Sequence, residues 1–212
     1  MYSIINDNSD FLFADKKKLK KYWDDYRYLK DTENLKSKEE EYKNKYKFFW
    51  GMNAALNLSK NTKFYSIYFE YLIENANNSN ANIGELFSQI ENSDAGFQFS
   101  FVSKAVHMIN PNLPIYDINI RKFYFFAEID STKTWEKKLE KANEYYEFLT
   151  FEYKRIIEND LLKVTLDKLD IFLNSIDKLD SISQVKKIDS VIWAWVDFLK
   201  KGAIVNKTTI LE

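Results

Sequence analysis

The stretch FSFVSKAVHMINPNLPIYDINIRKF, residues 99–123, holds both prolines of the chain and its only histidine. Its first half, Phe99 to Ile109, has the apolar periodicity of a helix and sets Lys104 and His107 one turn apart on a shared face. That helix must end before Pro111, because a residue ahead of proline is pushed out of the α region. Pro114 then sets an extended approach to Asp117, whose side chain has N-cap chemistry for a helix beginning INIRKFYFF. The segment therefore predicts adjacent antiparallel helices over residues 99–110 and 118–127, joined by the Pro111–Tyr116 turn, with Lys104 facing Asp117.

Upstream, Ile83 to Ile90 reads as a short helix, and ENSDAG, ending at Gly96, reads as a turn by its Asn, Ser, Asp and Gly content. Helical periodicity also covers Asp15 to Leu58 and then Phe64, Tyr68, Tyr71 and Leu72 up to about Asn75. The Asn-rich run NANNSNAN, residues 75–82, cannot bury much and predicts a surface loop. Downstream, Trp135, Leu139, Ala142, Tyr146, Leu149, Tyr153 and Ile156 alternate by four and three, as do Leu162, Leu166, Leu169, Leu173 and Ile176. A last helix from about Val185 to Lys201 carries Ile188, Ile192, Trp195 and Leu199, and KKG closes it with cations and a glycine.

Composition supports the same class. Only 4 glycines and 2 prolines occur in 212 residues, far below the usual shares of roughly 7% and 5%, so the punctuation of a many-stranded fold is missing. The expected fold is all-α, a two-lobed helical bundle within a single domain, residues 1–212. An N-terminal helical layer, about residues 1–76, precedes a core with C-terminal helices, about residues 82–212. With 45% hydrophobic residues the chain can bury a large core. Aromatic residues, 17% of the chain, do the core filling that Leu and Ala do elsewhere.

Several function classes drop out. The absence of cysteine removes disulfides, thiolate metal sites and cysteine nucleophiles. A single histidine argues against a His-built zinc site, and no cofactor or metal is expected. The N-terminus lacks the basic-then-apolar order of a signal peptide, and no run approaches the roughly 18 apolar residues of a membrane span. A soluble, cytoplasmic protein without a membrane partner is expected. The net charge of −1 argues against unspecific coating of nucleic acid. The cluster Lys16, Lys17, Lys18, Lys20 and Lys21 is interleaved with Leu19, Tyr22, Trp23, Tyr26 and Leu29, which reads as the wet face of an amphipathic helix.

The chemistry concentrates around Lys104. A lysine near a helix start and partly buried loses some preference for its charged form and can become a nucleophilic amine. A carboxylate at Asp117, facing it, could activate that amine or stabilise a cationic transition state. His107, one turn on, is a further candidate, although a lone histidine among apolar neighbours is more often a hydrogen-bonded core residue. Arg121 and Lys122 lie in the first turn of a helix, a poor place for cations on dipole grounds, which points to an anionic partner.

In their order, Ser100, Phe101, Ser103, Lys104, Pro114, Ile115 and Asp117 resemble the core of the 8-oxoguanine DNA glycosylase-like bacterial proteins of the helix-hairpin-helix DNA glycosylase superfamily. KKIDSVIWAW, residues 186–195, is similar to the Ile-Asp-then-Trp closing helix of some members. The resemblance implies a lysine nucleophile at Lys104 and an essential aspartate at Asp117, acting on a damaged or modified base flipped out of DNA, with abasic-site lyase activity through an imine. The candidate substrate or DNA contacts are Gly96, Gln98, Ser103, His107, Arg121 and Lys122. The superfamily's Gly-hydrophobic-Gly hairpin here reads Gly96-Phe97-Gln98, without the second glycine. That departure supports an alternative, a non-catalytic helical module for nucleic-acid or protein binding in defence against foreign DNA.

Overall fold

A computed structural model describes residues 1–57, 60–77, 81–177 and 182–202. Part of the Asn-rich run, residues 78–80, and the end of the first helical stretch at Leu58 lie outside the described residues, which contain thirteen helices and no strand. The chain begins with α1 (Tyr2–Asp7), α2 (Ser9–Leu12), α3 (Lys16–Lys30), α4 (Thr32–Ser37), α5 (Glu39–Phe49), α6 (Met52–Ala55) and α7 (Thr62–Glu74). It continues through α8 (Ile83–Ile90), α9 (Phe99–Ile109) and α10 (Ile118–Phe123) to α11 (Trp135–Glu158), α12 (Lys163–Asp177) and α13 (Gln184–Lys200). No described helix is long and apolar enough to cross a membrane.

The helices start where side chains can satisfy their first amides. Asp15 caps α3 by accepting from the Lys18 N–H, and Thr134 and Ser183 do the same for α11 and α13. The start of α7 is served from a distance: the Asp94 carboxylate, in the turn between α8 and α9, accepts the Lys63 and Phe64 amides at 3.1 and 3.0 Å. That turn is thereby tied to α7, with Gly96 in the left-handed region at φ +66°.

One continuous cluster of buried apolar side chains runs from Ile5 through Trp23, Tyr46, Tyr68 and Val102 to Trp195. Several of its tyrosines find partners for their hydroxyls, whereas those of Tyr146 and Tyr153 are buried without one. Tyr42 donates to the Leu29 carbonyl, while Tyr68 donates to the Phe101 carbonyl at 2.9 Å and accepts from Tyr46. The first twelve residues cross to the other end of the chain, α1 and α2 packing on α12 and α2 also on α13. Asn6 joins the two ends: its amide donates to the Leu161 carbonyl and its oxygen accepts the Thr165 N–H and hydroxyl.

The α9–α10 geometry differs from the expectation. The return along α9 is made by the extended stretch up to Asp117, because the Ser103 hydroxyl accepts the Tyr116 N–H at 3.0 Å and the Tyr116 ring stacks on Phe99 at 4.1 Å. α10 is a short helix ending at Phe123, not near residue 127, and its main packing partner is α13 rather than α9. Phe125 follows it in the left-handed region at φ 56°, and the Phe126 N–H reaches back to the Arg121 carbonyl, which stops the helix.

Candidate active site

Lys104 lies in the middle of α9 with 8% of its surface exposed. Its ammonium donates to the Ser100 hydroxyl at 3.1 Å and, at 3.4 Å, to the carbonyl of Trp50, the residue that ends α5. Helix carbonyls left open at a C-terminus attract a cation. The Phe101 and Trp50 rings lie 5.1 and 5.6 Å from Nζ. Burial holds the Lys104 pKa below the ordinary lysine value, against the pull of Asp117 and Asp189. The cause is desolvation; Lys104 is beyond the first turn of α9, where the helix dipole would act most strongly.

Asp117 caps α10, its Oδ1 accepting the Asn119 and Ile120 amides at 2.8 and 2.9 Å. Both bonds use one oxygen, which leaves Oδ2 for another partner. Of the charges acting on Lys104, Asp117 is the strongest, yet among the described residues the two form no ion pair. Their approach follows from the Ser103–Tyr116 clamp, since each is the next residue along its own segment.

Beside them opens a cleft of about 500 Å³. Gly96, Gln98, Ser100, Tyr116, Ile118 and Arg121 line it; Lys104 and Asp117 do not, and Lys104 is linked to the lining through its hydrogen bond to Ser100. Three of the residues assigned to substrate or DNA contact, Gly96, Gln98 and Arg121, thus come together. Gln98 donates to the Ala95 carbonyl across the turn, and Arg121 pairs with Glu128 at 3.5 Å.

The other three do not join them. Ser103 is fully buried and committed to backbone, accepting from Tyr116 N and donating to the carbonyls of Ser100 and Tyr116. His107 is also fully buried: Nδ1–H donates to the Leu113 carbonyl at 2.7 Å, so Nε2 accepts from the Tyr26 hydroxyl at 3.0 Å. Burial and the nearby Lys186 keep it neutral. Lys122 is exposed and lies outside the cleft lining. The basic rim is consequently thinner than expected: Lys122 is not part of it and Glu128 already faces Arg121. Both cations fall in the last turn of the short α10, which the helix dipole favours, rather than in a first turn that would call for an anion.

Two charged residues of α13, both within KKIDSVIWAW, join the candidate site although nothing in the sequence assigned them a role in it. Lys186 and Asp189 are buried and paired at 3.0 Å. The ammonium is surrounded by the rings of Tyr22, Tyr26 and Trp50, their centroids 5.5, 5.2 and 5.1 Å away. Burial works against the Lys186 charge, yet the facing tyrosines and Asp189 carry its pKa above the ordinary value. Burial raises Asp189 to about 6, Lys186 opposes that rise and Asp117 adds to it. Asp189 Oδ1 and Trp50 Nε1 are buried without a hydrogen-bond partner. The available signal was the interruption of an apolar face: Val185, Ile188, Val191 and Ile192 surround Lys186 and Asp189, charged residues one turn apart.

Compared with protein-family models, curated proteins and solved structures, the chain matches none. Among the described residues there is no group of three or more His, Asp or Glu side chains placed to hold a metal ion.

Proposed function

We propose that this protein is a DNA base-excision glycosylase of the helix-hairpin-helix kind, with Lys104 as its nucleophile and an accompanying abasic-site lyase activity. The observation that carries the reading is a buried amine, its hold on the proton weakened by desolvation, whose hydrogen-bond partner Ser100 lines an open cleft. A base flipped out of the stack would seat against the Phe97 and Tyr116 rings in that cleft. The neutral Lys104 amine attacks the anomeric carbon, the bond from that carbon to the base breaks, and the base leaves with a proton. The departing base takes one of the two protons of the attacking nitrogen, and the ring oxygen takes the other as the carbon–oxygen bond of the sugar ring breaks, giving an imine. Loss of the adjacent hydrogen then expels the 3′ phosphate. Asp117 Oδ2 is the group available to stabilise positive charge on the sugar during the first step.

The Arg121–Glu128 pair favours a second reading, a non-catalytic nucleic-acid- or protein-binding module, because it reduces the positive potential at the cleft. A duplex carrying a single 8-oxoguanine decides between them when base release is followed by alkaline strand scission. The parent protein is expected to release the base. Lys104→Gln and Asp117→Asn should each slow release by about 100-fold or more while far-UV circular dichroism stays unchanged. Binding without release by the parent, on this and other modified bases, would establish the module instead.

A further inference from the structure

The α13 pair lies too close to Lys104 to be without effect on it. Both lysines approach one ring, Trp50, its centroid 5.6 Å from the Lys104 ammonium and 5.1 Å from that of Lys186. Asp189 is 4% exposed, gives Oδ2 to Lys186 and leaves Oδ1 unpartnered inside the protein. Charges in such surroundings interact several times more strongly than at the surface. The remaining titratable groups facing the cluster are Asp117 ahead of α10, Tyr22 and Tyr26 on α3, Tyr153 on α11, and His107 on α9, which burial and Lys186 keep neutral. Asp117 is committed to the α10 amides through Oδ1, and burial keeps Tyr26 and Tyr153 un-ionised. The charges on this cluster that no helix cap restrains are Lys186 and Asp189.

We propose that the buried Lys186–Asp189 pair sets the fraction of Lys104 present as the free amine, Asp189 holding a proton on it and Lys186 driving that proton off into the cleft beside Ser100. The pair is then a positioning element for charge, acting through its field and touching no substrate. Its catalytic meaning rests on the glycosylase reading; its effect on Lys104 does not.

The Lys104 side-chain Nζ and Cε resonances, assigned by their loss in Lys104→Gln, can be titrated on the protein alone. Asp189→Asn should move the Lys104 midpoint down by roughly one pH unit, and adding Lys186→Met to Asp189→Asn should move it back up by a similar amount. Unshifted midpoints, or shifts of the same sign, would overturn the proposal. In the parent, the Lys104 Cε signal should also show a second, smaller inflection near pH 6, where Asp189 ionises. Its absence counts against the proposal even if neither variant folds. Parallel borohydride trapping on abasic DNA separates the two ideas. Absence of trapping with shifted midpoints defeats the glycosylase reading alone, whereas trapping with unshifted midpoints defeats this inference alone.

Discussion

Two sets of lysines in this chain have nearly the same sequence signature and opposite surroundings. On α3, Lys20 and Lys21 are exposed and pair with Asp24 and Asp25 one turn on, at 2.6 and 2.7 Å. On α13, Lys186 pairs with Asp189 at 3.0 Å, again one turn on, but with both residues buried. Water screens the first set, and such pairs contribute little. The second sits in low dielectric, where each charge depends on its partner and acts on its neighbours. The comparison teaches that a charge pair on a helix has meaning only through the face on which it falls.

The largest difference should appear when the lysine is removed. Lys186→Met leaves Asp189 buried with neither oxygen partnered and should cost about 3–5 kcal/mol near pH 8 by denaturant unfolding. The cost should shrink with acidity. A buried carboxyl whose folded pKa is raised contributes its stability fully below the unfolded value of roughly 4 and loses it as pH rises through the folded value. Equal destabilisation at pH 5 and pH 8 would show that the pair is not ionised as described.

A smaller effect belongs to the turn that forms one end of the cleft. Asp94→Ala removes the carboxylate that accepts the Lys63 and Phe64 amides. It should cost about 1 kcal/mol, a fall of roughly 2–4 °C in thermal midpoint for a chain of this size. No change would mean that α7 is held by its buried face alone. The smallest effect is expected from Lys21→Met on the wet face of α3, at most about 0.5 kcal/mol at either pH. A loss comparable to that of Lys186→Met would collapse the contrast between the two regions.

Most of the helical order was legible because it depends on local chemistry. α8 and α9 fall where the apolar spacing and the Pro111 stop put them, and Asp117 caps α10 as its position suggested. The path of the chain between α9 and α10 was not legible, because it is fixed by the Ser103–Tyr116 hydrogen bonds and the Phe99–Tyr116 stack, contacts that no periodicity encodes. Around the candidate site, Lys104 and Asp117 were visible as chemistry within one segment. Trp50 was not, since its carbonyl meets the Lys104 amine from the distant end of α5. His107 and Ser103 carried the right residue types, but their polar atoms are satisfied by core partners, which only packing reveals.

The central claim is that the Lys104 amine can reach and bond a sugar carbon from inside its buried seat. The most direct measurement is borohydride reduction of the protein mixed with an abasic-site duplex, followed by proteolysis and mass spectrometry of the cross-linked peptide. The account predicts one covalent adduct, mapped to Lys104 and absent in a folded Lys104→Gln variant. An adduct on another amine, or no adduct at any pH between 6 and 9 on a duplex the protein binds, would contradict it.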